Sequence, residues 1–294
     1  MAGQGRRAYG IALVGIASVF WSTAGLFVRL LDMEVWTMLA WRSLFAALSL
    51  FLVVLVQMRR QVLPAFAAIG WLGLIAVPIS AFSMVAFVAA LTLTSVANVM
   101  TVYATVPFLA AGVAFLWVGE RVERRVLVAS AIALVGIIVM AGGATRPQDL
   151  AGNGLTLLMT LAFAVVLVLA RRHPSIGMAP VNALAALLCA LAAWPLMTGP
   201  APTALQFLIL ALFGLTTTAL AYLLFLTGGR HIPSGEAGLI ALLDVVLGPF
   251  WVWFFFGEEP GTPALIGGGL VLAAVAWYLA GSLGRAEPAP PTAG

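Results

Sequence analysis

Residues 94–125, TSVANVMTVYATVPFLAAGVAFLWVGERVERR, decide how the rest of the chain is read. From Val96 the stretch carries about twenty mostly apolar residues, enough to cross a bilayer core as a helix. It ends in Gly119, Glu120 and a basic cluster. Its interior is not uniform. At 100° per residue, Thr94, Asn98, Thr101, Thr105 and Gly112 fall in one narrow arc, so one face is polar or small. Residues 234–260, SGEAGLIALLDVVLGPFWVWFFFGEEP, repeat the layout: an early polar residue, a proline in the span, then Gly257 and Glu258. They read as a second copy.

Composition agrees with a membrane reading. The 294 residues are 63% hydrophobic and 8% charged, with a mean hydropathy of +1.13, whereas soluble domains carry about 25% charged residues. Spans of roughly 20 residues leave room for about ten helices joined by short loops. All fourteen basic residues are arginine. A net charge of +4 on such a chain reads as an orientation signal rather than nucleic-acid binding. Arg6 and Arg7 precede an apolar run that continues to about Leu31, too long for a secretory signal, so it is the first transmembrane helix. The single cysteine, Cys189, lies in an apolar run and reads as core packing.

The expected spans are 9–31, 35–57, 66–92, 95–118, 126–144, 150–170, 180–197, 202–228, 234–256 and 263–283, with a disordered tail over 285–294. With the N-terminus inside, Arg6, Arg7, Arg59, Arg60, Arg121, Arg124, Arg125, Arg171, Arg172, Arg230 and Arg285 lie on the cytoplasmic side, and the C-terminus lies there too. Residues 1–145 and 146–284 then each hold five helices. An odd number makes the two halves enter the membrane from opposite sides, an inverted repeat of the kind that supports alternating access. The expected fold class is therefore all-α integral membrane protein, ten helices in two inverted repeats, in the cytoplasmic membrane.

The residues now described resemble the drug/metabolite transporter superfamily, in its EamA-domain branch of ten-helix carriers. The resemblance rests on residues 94–98, on Pro107 and on Leu116 to Arg121 (LWVGER), with Phe20, Trp21, Trp41, Arg42, Gly136 and Gly267 at further family positions. It implies a secondary transporter. YddG-like exporters of amino acids are the relatives it suggests, aromatic amino acids among their solutes, and the direction of transport comes from the resemblance alone. The second copy departs from the pattern: where the family has Glu-Pro, this chain has Asp244 and Val245, with the proline displaced to Pro249.

Candidate solute-binding residues follow from polarity at membrane depth. In the fourth helix these are Asn98, Thr101 and Thr105, either a hydrogen-bonded seam between helices or a cavity lining, with Tyr103 on another side. Asp244 is the sharpest intramembrane acid, since a charged aspartate at helix centre costs roughly 2.5–3.5 kcal/mol on insertion scales. It is read as a proton carrier or amine ligand, or as a hydrogen-bonded acid stabilising a kink. Glu236 reads as a helix-start carboxylate. Arg42 either snorkels to the interface, pairing with Asp32 or Glu34, or captures a solute carboxylate. Trp21, Ser22, Ser80, Ser83, Thr160, Phe163, Thr218 and Tyr222 complete the expected lining, and Trp36, Trp71, Trp117 and Trp194 form interfacial belts. Helix breaks are expected at Pro78, Pro107 and Pro249.

An intramembrane enzyme is argued against by the two histidines, His173 and His231, both in expected loops, which leave no serine and histidine pair at membrane depth and no multi-histidine metal site. With no lysine, a Walker nucleotide site is excluded. No cofactor or metal is expected; the partners are a small-molecule substrate and the lipid bilayer, and monomer or homodimer stays open.

Overall fold

The computed structural model describes residues 2–119, 124–142, 147–173, 176–232 and 234–283. All regular structure among them is helical, as expected where a lipid environment offers backbone groups no outside partner. The helices are α1 (Ala2–Ser22), α2 (Ala24–Leu31), α3 (Val35–Met58), α4 (Val62–Ala67), α5 (Gly70–Leu93), α6 (Val96–Tyr103) and α7 (Val106–Val118). They continue with α8 (Arg124–Ala141), α9 (Pro147–Arg172), α10 (Met178–Ala193), α11 (Ala204–Gly214), α12 (Ala221–Gly229), α13 (Ser234–Phe256) and α14 (Thr262–Leu283). Among the described residues eight helical segments are long and apolar enough to cross a membrane, and Ile240–Phe256 and Thr262–Tyr278 are shorter apolar ones. Glu120, Arg121, Arg146 and the tail 285–294 lie outside the described residues, as does the Glu236 side chain.

The local breaks have identifiable causes. Pro107 has no N–H, so the Tyr103 carbonyl loses its helical donor. There the rod turns between α6 and α7, with Thr105 N–H donating to Val102 O at 3.1 Å instead. Pro78 and Pro249 were expected to break their helices and do not: α5 and α13 run through them. One lost bond is carried by a long helix packed against neighbours. A π-helical segment over Leu215–Leu220 joins α11 to α12, shifting the register of the eighth rod at Thr218 relative to an α-helical wheel.

Where α1 leads into α2, α6 into α7 and α11 into α12, the helices count as single rods. Leaving aside the six-residue α4 and adding α3, α5, α8, α9, α10, α13 and α14, the described residues form ten rods in chain order. Rod one packs on rods eight and nine, and rod six packs on rods three and four. Rod two packs on seven and eight, and rod three on seven; rod five packs on ten, and four on nine. Each of these pairs maps onto one in the same set when five is added to, or subtracted from, both members. The closest approach is between α8 and α14. A Cβ on Gly136 would lie 2.6 Å from the Gly267 carbonyl oxygen, and one on Gly267 would overlap the Gly136 carbonyl. Only glycine permits backbones that near.

Candidate functional site

The buried polar side chains fall into three groups. The first lies where α13 packs on α6 and α6 on α9. Asp244 sits near the middle of α13, 8% exposed, and its Oδ1 has no hydrogen-bond partner among the described residues. It is within electrostatic reach of Tyr103. The Tyr103 ring meets Phe163 of α9 with centroids 5.9 Å apart. Asp244, Tyr103 and Phe163 were all named from sequence, and Tyr103 is the residue related to both of the others.

The second group is Arg42. It does not snorkel to an interface: it is 7% exposed, its guanidinium stands 4.6 Å above the Phe213 ring, and Nε has no partner among the described residues. Glu34 is unavailable to it, because that carboxylate caps α3, accepting from the N–H groups of Trp36 and Thr37 at 2.8 and 2.7 Å and from the Thr37 hydroxyl. Next to Arg42, the Ser43 hydroxyl donates to buried Cys189 Sγ at 3.1 Å, tying α3 to α10.

Of the third group only Thr160 was named from sequence; Asp149, Asn153 and Thr156 were missed. Asp149, Asn153, Thr156 and Thr160 form a buried stripe along α9, at the i, i+4, i+7, i+11 spacing of one helix face. The Thr156 and Thr160 hydroxyls donate to the Gly152 and Thr156 carbonyls at 2.8 and 2.7 Å. Asn153 is different: at 9% exposure, neither its Nδ2 nor its Oδ1 has a partner among the described residues. The expected sixth span began at residue 150, and α9 begins at Pro147, so the start of the stripe was read as loop. The periodic spacing was the available signal.

Asp149 also lines a cavity of about 380 Å³ at the end of the molecule where α2, α5 and α13 finish and α6 and α9 start. Arg29, Thr94, Ser95, Glu258 and Glu259 line it too. None of these was a sequence candidate.

Most of the remaining candidates make contacts within the protein. Ser22 donates to Val19 O at 2.7 Å and accepts from Trp251 Nε1–H at 2.9 Å, joining the first rod to α13. Trp21 packs on Phe225. Ser83 donates to Met159 O of α9 at 3.3 Å, whereas buried Ser80 has no partner for Oγ. Asn98 donates to Thr94 Oγ1 at 3.0 Å. Thr101 faces Gly268 of α14, and Thr105 donates to Val102 O, so the expected single polar face divides at the α6–α7 turn. Thr218 and Tyr222 are half-buried. Among the described residues no three histidine, cysteine or acidic side chains gather as a metal site.

Comparison with known proteins agrees with this architecture. The model of the EamA-like transporter family matches the chain twice, over residues 8–142 and 150–280. An uncharacterized transporter of Archaeoglobus fulgidus is 27% identical over 277 residues, covering 92% of this chain and 96% of its own. A crystal structure, titled only as that of a protein, superposes with a TM-score of 0.61 at 17% identity, covering 93% of this chain and 96% of the other.

Proposed function

Given that the chain belongs to the EamA-like transporter family, and so is a multi-pass membrane transporter, we propose that it exports small zwitterionic metabolites, amino acids above all, across the cytoplasmic membrane by alternating access. The observation that carries the solute class is the coexistence of Arg42 and Asp244, both buried, each with an unpartnered polar atom. Ionisable groups at membrane depth are costly and are retained where they have work to do. A guanidinium matches a carboxylate and an aspartate matches an ammonium group, which are the two ends of an amino acid. Asn153 and Ser80 add unpaired donors and acceptors for a polar solute. Tyr103 and Phe163 supply an aromatic surface beside Asp244, suited to apolar or aromatic side chains.

The proposed architecture is ten spans in two inverted five-helix repeats, over residues 1–145 and 146–284, with both termini cytoplasmic. Support comes from the most extensive rod pairings, which are preserved on adding five, and from the two separate family matches. Both Gly119 and Gly257 also end their helices in a left-handed conformation, at φ 69° and 66°. Export is carried over from the family resemblance, and Asp244 is the proposed site of proton coupling.

The test is flux in proteoliposomes for amino acids, nucleobases and sugars, with and without a pH gradient. Amino-acid flux stimulated by the gradient is expected, and Asp244→Asn should abolish that stimulation while the protein still purifies as a folded species. Flux confined to sugars or nucleobases would overturn the solute class; unchanged pH dependence in Asp244→Asn would remove this acid from coupling.

A further inference from the structure

We infer that Arg29 and Glu258 form a latch that closes the cavity end of the transporter and must break once in every transport cycle. The inference rests on the alternating-access reading above. Arg29 Nε–H donates to Glu258 Oε2 at 2.7 Å. Its NH1 donates to Leu91 O at 2.6 Å and its NH2 to Thr94 O at 3.3 Å. The other Glu258 oxygen accepts from Val96 N–H at 3.1 Å. One ion pair thus joins α2, the end of α5, the start of α6 and the segment after α13.

The electrostatics suit each member. The Leu91 carbonyl is among the last four of α5, which have no helical donor and carry the negative end of the helix dipole, so a cation is favoured there. Val96 N–H is at the opposite pole: it opens α6, whose first amides have no helical acceptor and favour a carboxylate. Arg29 and Glu258 each neutralise a helix end as well as each other. The side chains are 25% and 23% exposed, so water competes for both, and a pair in that setting is weak enough to open reversibly. Both line the cavity, as do Asp149 and Ser95.

The helices joined are those that would separate. Beyond the latch, α2 meets α6 directly, where a Cβ on Gly25 would lie 2.7 Å from a Val96 methyl group. A Cβ on Gly152 of α9 would lie 2.9 Å from Thr94 atoms. Asn153 is the next residue, one helical turn deeper than Asp149. Opening the latch releases the contacts that cover Asn153, and closing it restores them. Arg29 and Glu258 are positioning residues in this scheme and need not touch the solute.

The test uses thiol accessibility in the full-length protein. Cys189, the only native cysteine and 1% exposed, is kept as an internal standard for global loosening. A second thiol is introduced by Asn153→Cys, and a membrane-impermeant maleimide is added from each side in turn, labelling being read separately at the two positions by peptide mapping. Glu258→Gln removes the charge but keeps an oxygen for Val96 N–H. It is expected to speed labelling at position 153 by about two- to fivefold from the cavity side, with Cys189 unchanged; fivefold corresponds to about 1 kcal/mol, the upper end for a partly exposed ion pair. Arg29→Gln should match it, and the double variant should add nothing, because the two substitutions remove one contact. Equal labelling with and without the substitution, or a parallel rise at Cys189, overturns the latch.

Flux of the single-site Glu258→Gln protein, with position 153 native, should fall about two- to fivefold because the cavity end no longer stays shut. Normal flux there would also overturn the inference. Absence of flux for every solute in the unmodified protein would instead defeat the carrier reading, and the labelling result does not depend on it.

Discussion

The contact between α8 and α14 permits a prediction within a run of three glycines, Gly267, Gly268 and Gly269, that share one helix and differ only in what each faces. A Cβ on Gly267 would overlap the Gly136 carbonyl and lie 2.9 Å from Met140 Cβ, one on Gly268 would meet the Thr101 hydroxyl at 2.9 Å, and one on Gly269 would meet nothing within 4 Å. Carbon to carbonyl-oxygen contacts in proteins sit at about 3.3–3.6 Å. The reciprocal distance at Gly136 is 2.6 Å, so a methyl group there would part the backbones by about 0.7–1.0 Å, and one on Gly267, which starts closer, by at least as much. A gap of that size forfeits a quarter to a half of each dispersion contact along the interface, and forced overpacking costs about 1–3 kcal/mol. Membrane helices associate chiefly through such contacts, so little else offsets the loss. Replacing glycine by alanine also favours the helix by about 1 kcal/mol, but that gain is common to all three positions and cancels in a comparison. Gly267→Ala should therefore be less stable than Gly269→Ala by about 1–3 kcal/mol. Gly268→Ala should fall between them, since the Thr101 hydroxyl can rotate. Thermal unfolding in a single detergent reads the order, at about 2–4 °C per kcal/mol for a chain of this size. Equal midpoints for Gly267→Ala and Gly269→Ala would show that α8 and α14 are not in backbone contact.

Two further outcomes follow from local geometry. Burial alone would raise the Glu34 carboxyl, but hydrogen bonds from Trp36, Thr37 and Thr198 outweigh it and hold the carboxyl below its usual range. Its contribution is then present above the unfolded value of about 4.3 and is lost as pH falls through the folded one. Glu34→Ala should cost about 1 kcal/mol at pH 7, as for other helix caps, and the gap from the unmodified protein should shrink below pH 4 in thermal unfolding; a gap that is constant with pH refutes the capping role. On α9, Asn153→Ala should raise the solute concentration for half-maximal flux about two- to twelvefold, the range of one hydrogen bond. Thr156→Val should leave it unchanged, since that hydroxyl is engaged by the Gly152 carbonyl; equal effects would remove Asn153 from the solute path.

The features legible from sequence were those written in composition or local spacing: apolar helices of spanning length, the Gly-Glu pairs after two long runs, and the acid in α13. Properties set by partners far along the chain were not. Whether Arg42 would find an anion or an aromatic ring depended on Phe213, which reaches it from another rod. Arg29 was not picked out from the sequence because its partner, Glu258, is 229 residues away. The α6–α7 turn could be placed from Pro107, yet Pro78 and Pro249 lie in uninterrupted helices. A proline removes the same donor in all three cases, and packing around the helix decides whether the backbone turns. The π-helical segment at 215–220 has no proline or glycine within it to announce it.

The Gly-Glu pairs acquire a physical meaning from the structure. Gly257 ends α13 at φ 66°, donating to Trp253 O at 2.9 Å, while Glu258 N–H reaches back to Val252 O at 3.4 Å. A left-handed glycine followed by a backward hydrogen bond reverses the chain over the end of its own helix. That reversal returns the Glu258 carboxylate to the start of α6, where Val96 N–H and Arg29 receive it. The glycine and the glutamate therefore act as one device: the first supplies a conformation that side-chain-bearing residues rarely adopt, and the second uses it to bind a helix N-terminus belonging to another rod. Substituting Gly257 should disturb the latch even with both charges in place. Gly119 adopts the same conformation at the end of α7, with φ 69° and a 3.0 Å bond to Phe115 O.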